Sequence, residues 1–222
     1  NFAGMILAFA IAIPVGIKSA VKKYGFFDNF WTVFSLMGVS MPTFFFALVL
    51  IYYIAIPLKM PLNGMRTTIL LARGYDSFWH EFTDVLKHMI LPVTIITISS
   101  LASLTRYVRN SVIEVINQDY IRTARSKGLA EKVVIYKHAF RNALLPIVTL
   151  LSFYIPGLFG GSILIETVFV WPGIGGVLFR SINDQDYSML MAANVFYAVL
   201  MLAGNLFADV TYALVDPRIR VK

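Results

Sequence analysis

The sequence contains no cysteine in its 222 residues, which removes disulfides, thiol nucleophiles and thiolate metal sites from consideration. Charge is nearly as scarce. Only 14% of residues are Asp, Glu, Lys or Arg, against about a quarter in a soluble domain. The three histidines, His80, His88 and His138, are scattered along the chain, form no ligand cluster and read as surface residues, so no metal site is expected. A phosphate-binding loop of the form GxxxxGKS or GxxxxGKT is missing, so the chain is not expected to bind ATP as a P-loop protein. No nucleophile–base pair is recognisable either, and the chain does not read as an enzyme.

What is abundant is apolar surface. Hydrophobic residues make up 58% of the chain and the mean hydropathy is +0.73. Five apolar runs stand out: Phe2–Ile17, Phe30–Leu58, Met89–Thr105, Ala143–Ile165 and Tyr187–Ala208. A helix that crosses a bilayer core of about 30 Å needs roughly 20 residues, and the second, fourth and fifth runs reach that length. The first is short and opens at Asn1 with no initiator Met and no basic leader. It does not read as a signal peptide, and the chain is expected to be N-terminally incomplete. An all-α integral membrane protein is the fold class these runs predict.

The formal charge of +7 is distributed unevenly, which orients the chain and makes a nucleic-acid partner unnecessary. Loops 18–29 and 106–142 and the C-terminus hold fourteen basic residues, and loops 59–88 and 166–186 hold five. The positive-inside rule puts the first group, with the C-terminal Arg218, Arg220 and Lys222, in the cytoplasm. Trp31 then lies at the inner boundary, and Trp79 and Trp171 lie outside. Residues 106–142 carry eight basic and three acidic side chains. Burying them in lipid would cost on the order of tens of kcal/mol, so the segment stays in water.

Gly4, Ala8, Ala12 and Gly16 draw a small-residue stripe along the first run, and Gly157 and Gly161 form a GxxxG pair in the fourth; both predict close helix packing. Pro14, Pro42, Pro92, Pro146 and Pro156 lie in or at the edges of the spans and predict kinks. Ser40, Met41, Ser99 and Ser100 are candidates for a translocation path.

The charged segment has its own helical grammar. Val108, Val112, Val115 and Ile116 keep a helical period, so the third run continues as one long helix beyond the membrane. Asn117-Gln118-Asp119 breaks it. Asp119 is expected to cap a short helix with Tyr120 to Lys127 as its body; Arg125 and Lys127 complement its dipole. Gly128 stands where a left-handed residue would end that helix. A third helix starts at Glu131, with Val133, Tyr136, Phe140 and Leu144 on one face. Small residues among charges fit a groove on another protein, and they equally fit a solvated basic loop beside anionic lipid headgroups.

Arg122-Thr123-Ala124-Arg125-Ser126-Lys127-Gly128 followed by Arg141-Asn142-Ala143-Leu144-Leu145-Pro146 resembles the EAA loop of ABC importer permeases. Ala124 matches the motif's second Ala, Gly128 its Gly, and Leu145-Pro146 its closing pair. Arg122 stands in place of the motif's Glu and Thr123 in place of its first Ala, as in the B-type permeases of dipeptide and oligopeptide importers, a branch that includes nickel and glutathione members. Segments 166–187 and 212–220 also look like this branch, so the resemblance covers essentially residues 1–222.

The resemblance implies a type I ABC importer transmembrane domain, with five membrane helices present of an expected six. It makes 106–142 a cytoplasmic coupling loop in which Asp119, Tyr120, Arg122, Thr123, Ala124, Arg125, Ser126, Lys127 and Gly128 contact an ATPase. It implies a homologous second permease subunit, two cytoplasmic ATPase subunits that hold ATP and Mg2+, an extracytoplasmic substrate-binding protein and a bacterial inner-membrane location. Glu166, Trp171, Pro172 and Gly173 open the second outer loop. They read either as an outer gate or binding-protein contact, or as an interfacial aromatic turn with a solvated carboxylate. An ion-coupled secondary transporter would need carboxylates or histidines at membrane depth as relays, and the central thirds of the spans have none. In intact cells, a membrane-impermeant amine reagent should leave Lys127 and Lys132 unlabelled and reach them only after permeabilisation; labelling from outside would reverse the topology.

Overall fold

The computed structural model describes residues 1–215. The C-terminal basic cluster Arg218, Arg220 and Lys222 lies outside the described residues, as does the His138 side chain. Among the described residues the chain is helical throughout, without strands.

The first apolar run forms α1 (Phe2–Val21), and its small-residue stripe is buried as expected. The second run does not form one straight span. It breaks into α2 (Phe26–Ser40) and α3 (Thr43–Leu50, continued by a π-helical turn Ile51–Ala55), bent by 106°. Pro42 is the cause: it has no N–H to continue the ladder, and Met41 before it is extended, with φ −89° and ψ 129°. Pro14 and Pro92 stay inside their helices.

After a short α4 (Thr68–Arg73), the third run becomes α5 (Phe78–Ile116), 39 residues long or about 58 Å. This is the extension beyond the membrane that the valine spacing predicts. The hairpin contributes α6 (Asp119–Ser126) and α7 (Glu131–Val133), the latter passing through a π-helical segment, Val134–Ala139, into α8 (Phe140–Phe159). The fourth run therefore ends at Phe159 and not at Ile165. Beyond it come α9 (Ile163–Val168), α10 (Ile174–Asn183) and α11 (Tyr187–Val215). Among the described residues, three helices (α1, α5 and the Tyr187–Thr211 part of α11) are long and apolar enough to cross a membrane by themselves, and the bent α2–α3 pair makes a fourth if it is one span.

The core forms where α1 lies on α5. A Cβ added at Gly4 would stand 2.7 Å from Ile96 Cγ2, and one at Gly16 would stand 2.7 Å from Val108 Cγ1 and 3.0 Å from the Thr105 carbonyl. The same step separates the contact points on both helices, so α1 and α5 run parallel. Thr97 Oγ1 adds a 3.2 Å hydrogen bond to the Gly4 carbonyl across the seam. Ala8, Ala12, Leu101, Leu104, Val108 and Val112 fill the space between, with Ile135, Ala143 and Ile147 closing it from the π-helical segment and α8. The GxxxG pair behaves otherwise. A Cβ at Gly157 meets nothing within 4 Å, and Gly161, at φ +68°, belongs to a turn; neither makes a helix seam within this chain.

The contacts sort the loops into the two groups that the charge distribution defines. At one end, Asp28 in the first turn of α2 is buried and accepts 2.8 Å from Arg109 Nη2 and 2.8 Å from the Tyr24 N–H. Removing one partner from such a pair costs about 3–5 kcal/mol. At the other end, the Gly64 N–H donates to the Phe169 carbonyl at 2.7 Å, joining loop 59–88 to loop 166–186. Thr67 and Tyr75 hold Asp84 beside it. His88 is buried there, its Nδ1 2.8 Å from the Asp84 carbonyl, and is not the surface histidine that its sequence context predicts.

Because α1 and α5 touch through glycine, Gly16→Val should lower stability by about 1–3 kcal/mol, measured as a drop in thermal midpoint of the detergent-solubilised protein. Gly157→Ala should leave the midpoint unchanged.

Candidate functional site

Two places gather the residues singled out by sequence. The first is the hairpin. Its α6 buries Ile121 and Ala124 against Val134 and Ala139, with Val115 and Ile116 alongside. This small core adjoins the α1–α5 core through Val115 and Ile116, and it makes the hairpin a unit. Asp119, Tyr120, Arg122, Thr123, Arg125, Ser126, Lys127 and Gly128 are exposed. Ala124 faces inward, so it fixes the helix to its own chain and is not part of the outer face expected of it.

Local chemistry sets the helix ends. Gln118, and not Asp119, occupies the N-cap; Asp119 is the first helical residue, where its carboxylate complements the dipole. At the other end Lys127 is the C-cap and Gly128 takes φ +75°, the left-handed conformation foreseen for it. A Cβ there would meet nothing within 4 Å, so a substitution is opposed by backbone strain alone. Arg125 donates 2.7 Å and 3.1 Å hydrogen bonds to the two oxygens of Glu131, closing the turn between α6 and α7. Those bonds hold the Glu131 carboxyl below its ordinary value. With both partners exposed, the pair is worth at most about 1 kcal/mol, and geometry is its main contribution. Thr123 and Ser126 turn their hydroxyls back onto their own helix, to the carbonyls of Asp119 and Arg122.

The buried face of the third hairpin element is Val134, Ile135, Ala139 and Ala143, while Val133 and Tyr136 are exposed. The period expected from Val133, Tyr136, Phe140 and Leu144 fails because the π-helical segment has more residues per turn than the α-helical spacing allows.

The second place is the outer turn. The Glu166 carboxylate is half-buried and held by backbone groups. Its Oε1 accepts 3.0 Å from the Ser162 N–H and its Oε2 accepts 2.7 Å from the Gly176 N–H. Gly161, Gly173 and Gly175 crowd around it so closely that a Cβ at any of them would press on the carboxylate. Neither reading from sequence anticipated this: Glu166 is an internal brace, legible only as the spacing of glycines around one acid. The backbone it braces is strained. Val170, a β-branched residue, has φ +51°, and the Trp171 N–H returns 2.8 Å to the Glu166 carbonyl to close the end of α9. Trp171, Pro172 and Gly173 form the rim of a cavity of about 310 Å3 that also reaches Pro92, Ile96 and Phe159. At the α2–α3 bend, Met41 and Ser99 line a cavity of about 110 Å3 with Phe34 and Phe46, and Ser40 and Ser100 do not line it.

Among the described residues no group of His, Asp and Glu could hold a metal ion. The model of the binding-protein-dependent transport system inner membrane component family matches residues 12–221. The chain belongs to that family. Its all-α architecture is accordingly the type I ABC importer transmembrane fold, and its apolar helices make it a multi-pass inner membrane component of a transport system. It is 43% identical over 215 residues to the oligopeptide transport system permease protein AppB of Bacillus subtilis (strain 168), covering 96% of this chain and 66% of that protein. To the dipeptide transport system permease protein DppB of Escherichia coli (strain K12) it is 37% identical over 232 residues, covering 98% of this chain and 68% of DppB. A putative peptide permease of Brucella suis biovar 1 (strain 1330) is 40% identical over 220 residues, 99% of this chain and 66% of the relative. The chain thus spans about two thirds of the length of these relatives.

The cradle can be tested in isolation from transport. Gly173→Ala should expel the Glu166 carboxylate and raise hydrogen exchange at the Ser162 and Gly176 amides at least ten-fold, the loss of about one charge-assisted hydrogen bond at each. Unchanged exchange would show that the brace is dispensable.

Proposed function

We propose that this chain is the membrane permease subunit of an ATP-driven peptide importer, forming half of the translocation path with a homologous second permease. Two cytoplasmic ATPase subunits carry ATP and Mg2+, and an extracytoplasmic binding protein delivers substrate. The observation that carries the reading is the construction of α6. Its apolar residues are spent on anchoring the helix to its own hairpin, and its exposed face is left to Arg122, Arg125 and Lys127 among small hydroxyls. A helix so held is a rigid projection suited to a groove on an ATPase. Peptides as cargo follow from the relatives, whose names specify oligopeptide and dipeptide transport.

Coupling in this reading is mechanical. Closure of the ATPases displaces α6 as a rigid body, and α5 transmits the displacement to the spans. The basic end of the bundle, including the C-terminus, faces the cytoplasm. The braced outer turn, with Trp171 and Pro172 on its rim, faces the binding protein.

Charge reversal on the free face is the direct test. Arg122→Glu with Lys127→Glu should leave insertion and thermal stability intact, reduce co-purification of the ATPase subunits at least ten-fold, and abolish binding-protein-stimulated ATP hydrolysis in reconstituted vesicles. Full stimulation and peptide uptake in that variant would remove the docking role. Ala124→Asp is the contrasting variant: it buries a charge in the hairpin core and should destabilise the subunit itself. Uptake competition among dipeptides, longer peptides, nickel and glutathione in the wild-type complex assigns the cargo.

A further inference from the structure

At the basic end of the bundle a groove of about 350 Å3 opens between α1 and the segment around α7. Pro14, Ile17 and Val21 recur along one face of α1 to make one wall, and Ile135 and Tyr136 make the other. Lys18 and Lys22 stand one turn apart on the α1 rim, and Lys132 stands across from them. Glu131 shares that rim, but both its oxygens are taken by Arg125. Lys18 points its Nζ at the Phe27 ring, 4.2 Å from the centroid, which directs the cation without neutralising it. Among the described residues neither Lys22 nor Lys132 forms a salt bridge.

The order of these groups along the membrane normal is what identifies the occupant. Lys18 follows directly on the apolar run that ends at Ile17, so the groove is greasy on the membrane side and cationic where α1 leaves it. Tyr136, 57% exposed, lines the same groove, and aromatic side chains with a polar tip favour the lipid–water boundary. An acidic peptide from solution would match the three cations but not the apolar walls beneath them. A zwitterionic lipid would offer the walls the same chains and the cations one phosphate, but would bring its own headgroup cation among three lysines. We propose that this groove binds an anionic diacyl phospholipid of the inner leaflet, with its phosphate among Lys18, Lys22 and Lys132 and the upper part of its acyl chains along Pro14, Ile17 and Ile135. The bound lipid bridges α1 to the base of the hairpin, so the site goes beyond the transport reading and holds whatever the cargo is.

The test uses the full-length chain in its assembled complex, in nanodiscs of phosphatidylcholine doped with a minority of phosphatidylglycerol. Tyr136 is replaced by the photoreactive p-benzoylphenylalanine, and the adducts are identified by mass. The adduct should be enriched in phosphatidylglycerol over its share of the disc. That enrichment should fall about five-fold for Lys22→Ala and again for Lys132→Ala, while Lys59→Ala at the opposite end of the bundle leaves it unchanged. Adducts that follow the bulk lipid ratio, an enrichment indifferent to both lysines, or cross-links to a protein segment in place of lipid would each overturn the site.

Discussion

The rest of the structure depends on how near α1 comes to α5. Glycine at residues 4 and 16 lets the two backbones meet where any side chain would collide with Ile96 or Val108. In lipid no hydrophobic effect drives helices together, so van der Waals contact over a close, continuous seam has to supply the association. The seam also sets direction. Because the two helices run parallel in fixed register, the end of α1 at Val21 comes level with the last turn of α5, while α5 begins well before α1 does. Asp28 and Arg109 then meet at one end, and loops 59–88 and 166–186 meet at the other.

The two ends are built on opposite plans. At the basic end, charge is mostly left outward and one carboxylate, Asp28, is buried to tie α2 to α5. The hairpin has its own four-residue core, joined to the α1–α5 core through Val115, Ile116 and Ile135, so its outward face stands on a packed base. At the other end, backbone N–H groups close around the Glu166 carboxylate and hold a turn that includes a β-branched residue in the left-handed region. One end leaves its side chains outward; the other fixes a backbone shape.

Sequence made legible whatever rests on periodicity and sterics. The small-residue stripe of α1, the long reach of α5, the break at Asn117-Gln118 and the left-handed Gly128 all follow from local rules, and each is where the spacing puts it. What it concealed depends on tertiary closure. An uncharged run such as 30–58 reads as one span because hydropathy carries no angle, although Pro42 marks the bend. The π-helical turn at Val134–Ala139 rotates the apolar face of the third hairpin helix and leaves no compositional mark. Ala124 matches a motif, but a motif does not say which way a side chain points; Ile121, three residues before it, makes the inward face visible only once Val134 lies over it. Glu166 looks like a surface acid until three glycines converge on it. His88 looks solvated until it is buried against Asp84, one turn before it on α5.

The length of α5 has a mechanical corollary. A bilayer core takes up about half of its 39 residues, and the remainder is divided between its two ends, with α6 beyond the Ile116 tip. Along that whole rod Pro92 is the single point where a backbone hydrogen bond is missing, and it lies far from the tip. A push delivered at Ile116 therefore finds no compliant joint on the way. It arrives at the membrane interior as a rotation of the entire shaft, and the seam with α1 obliges the neighbouring helix to turn with it.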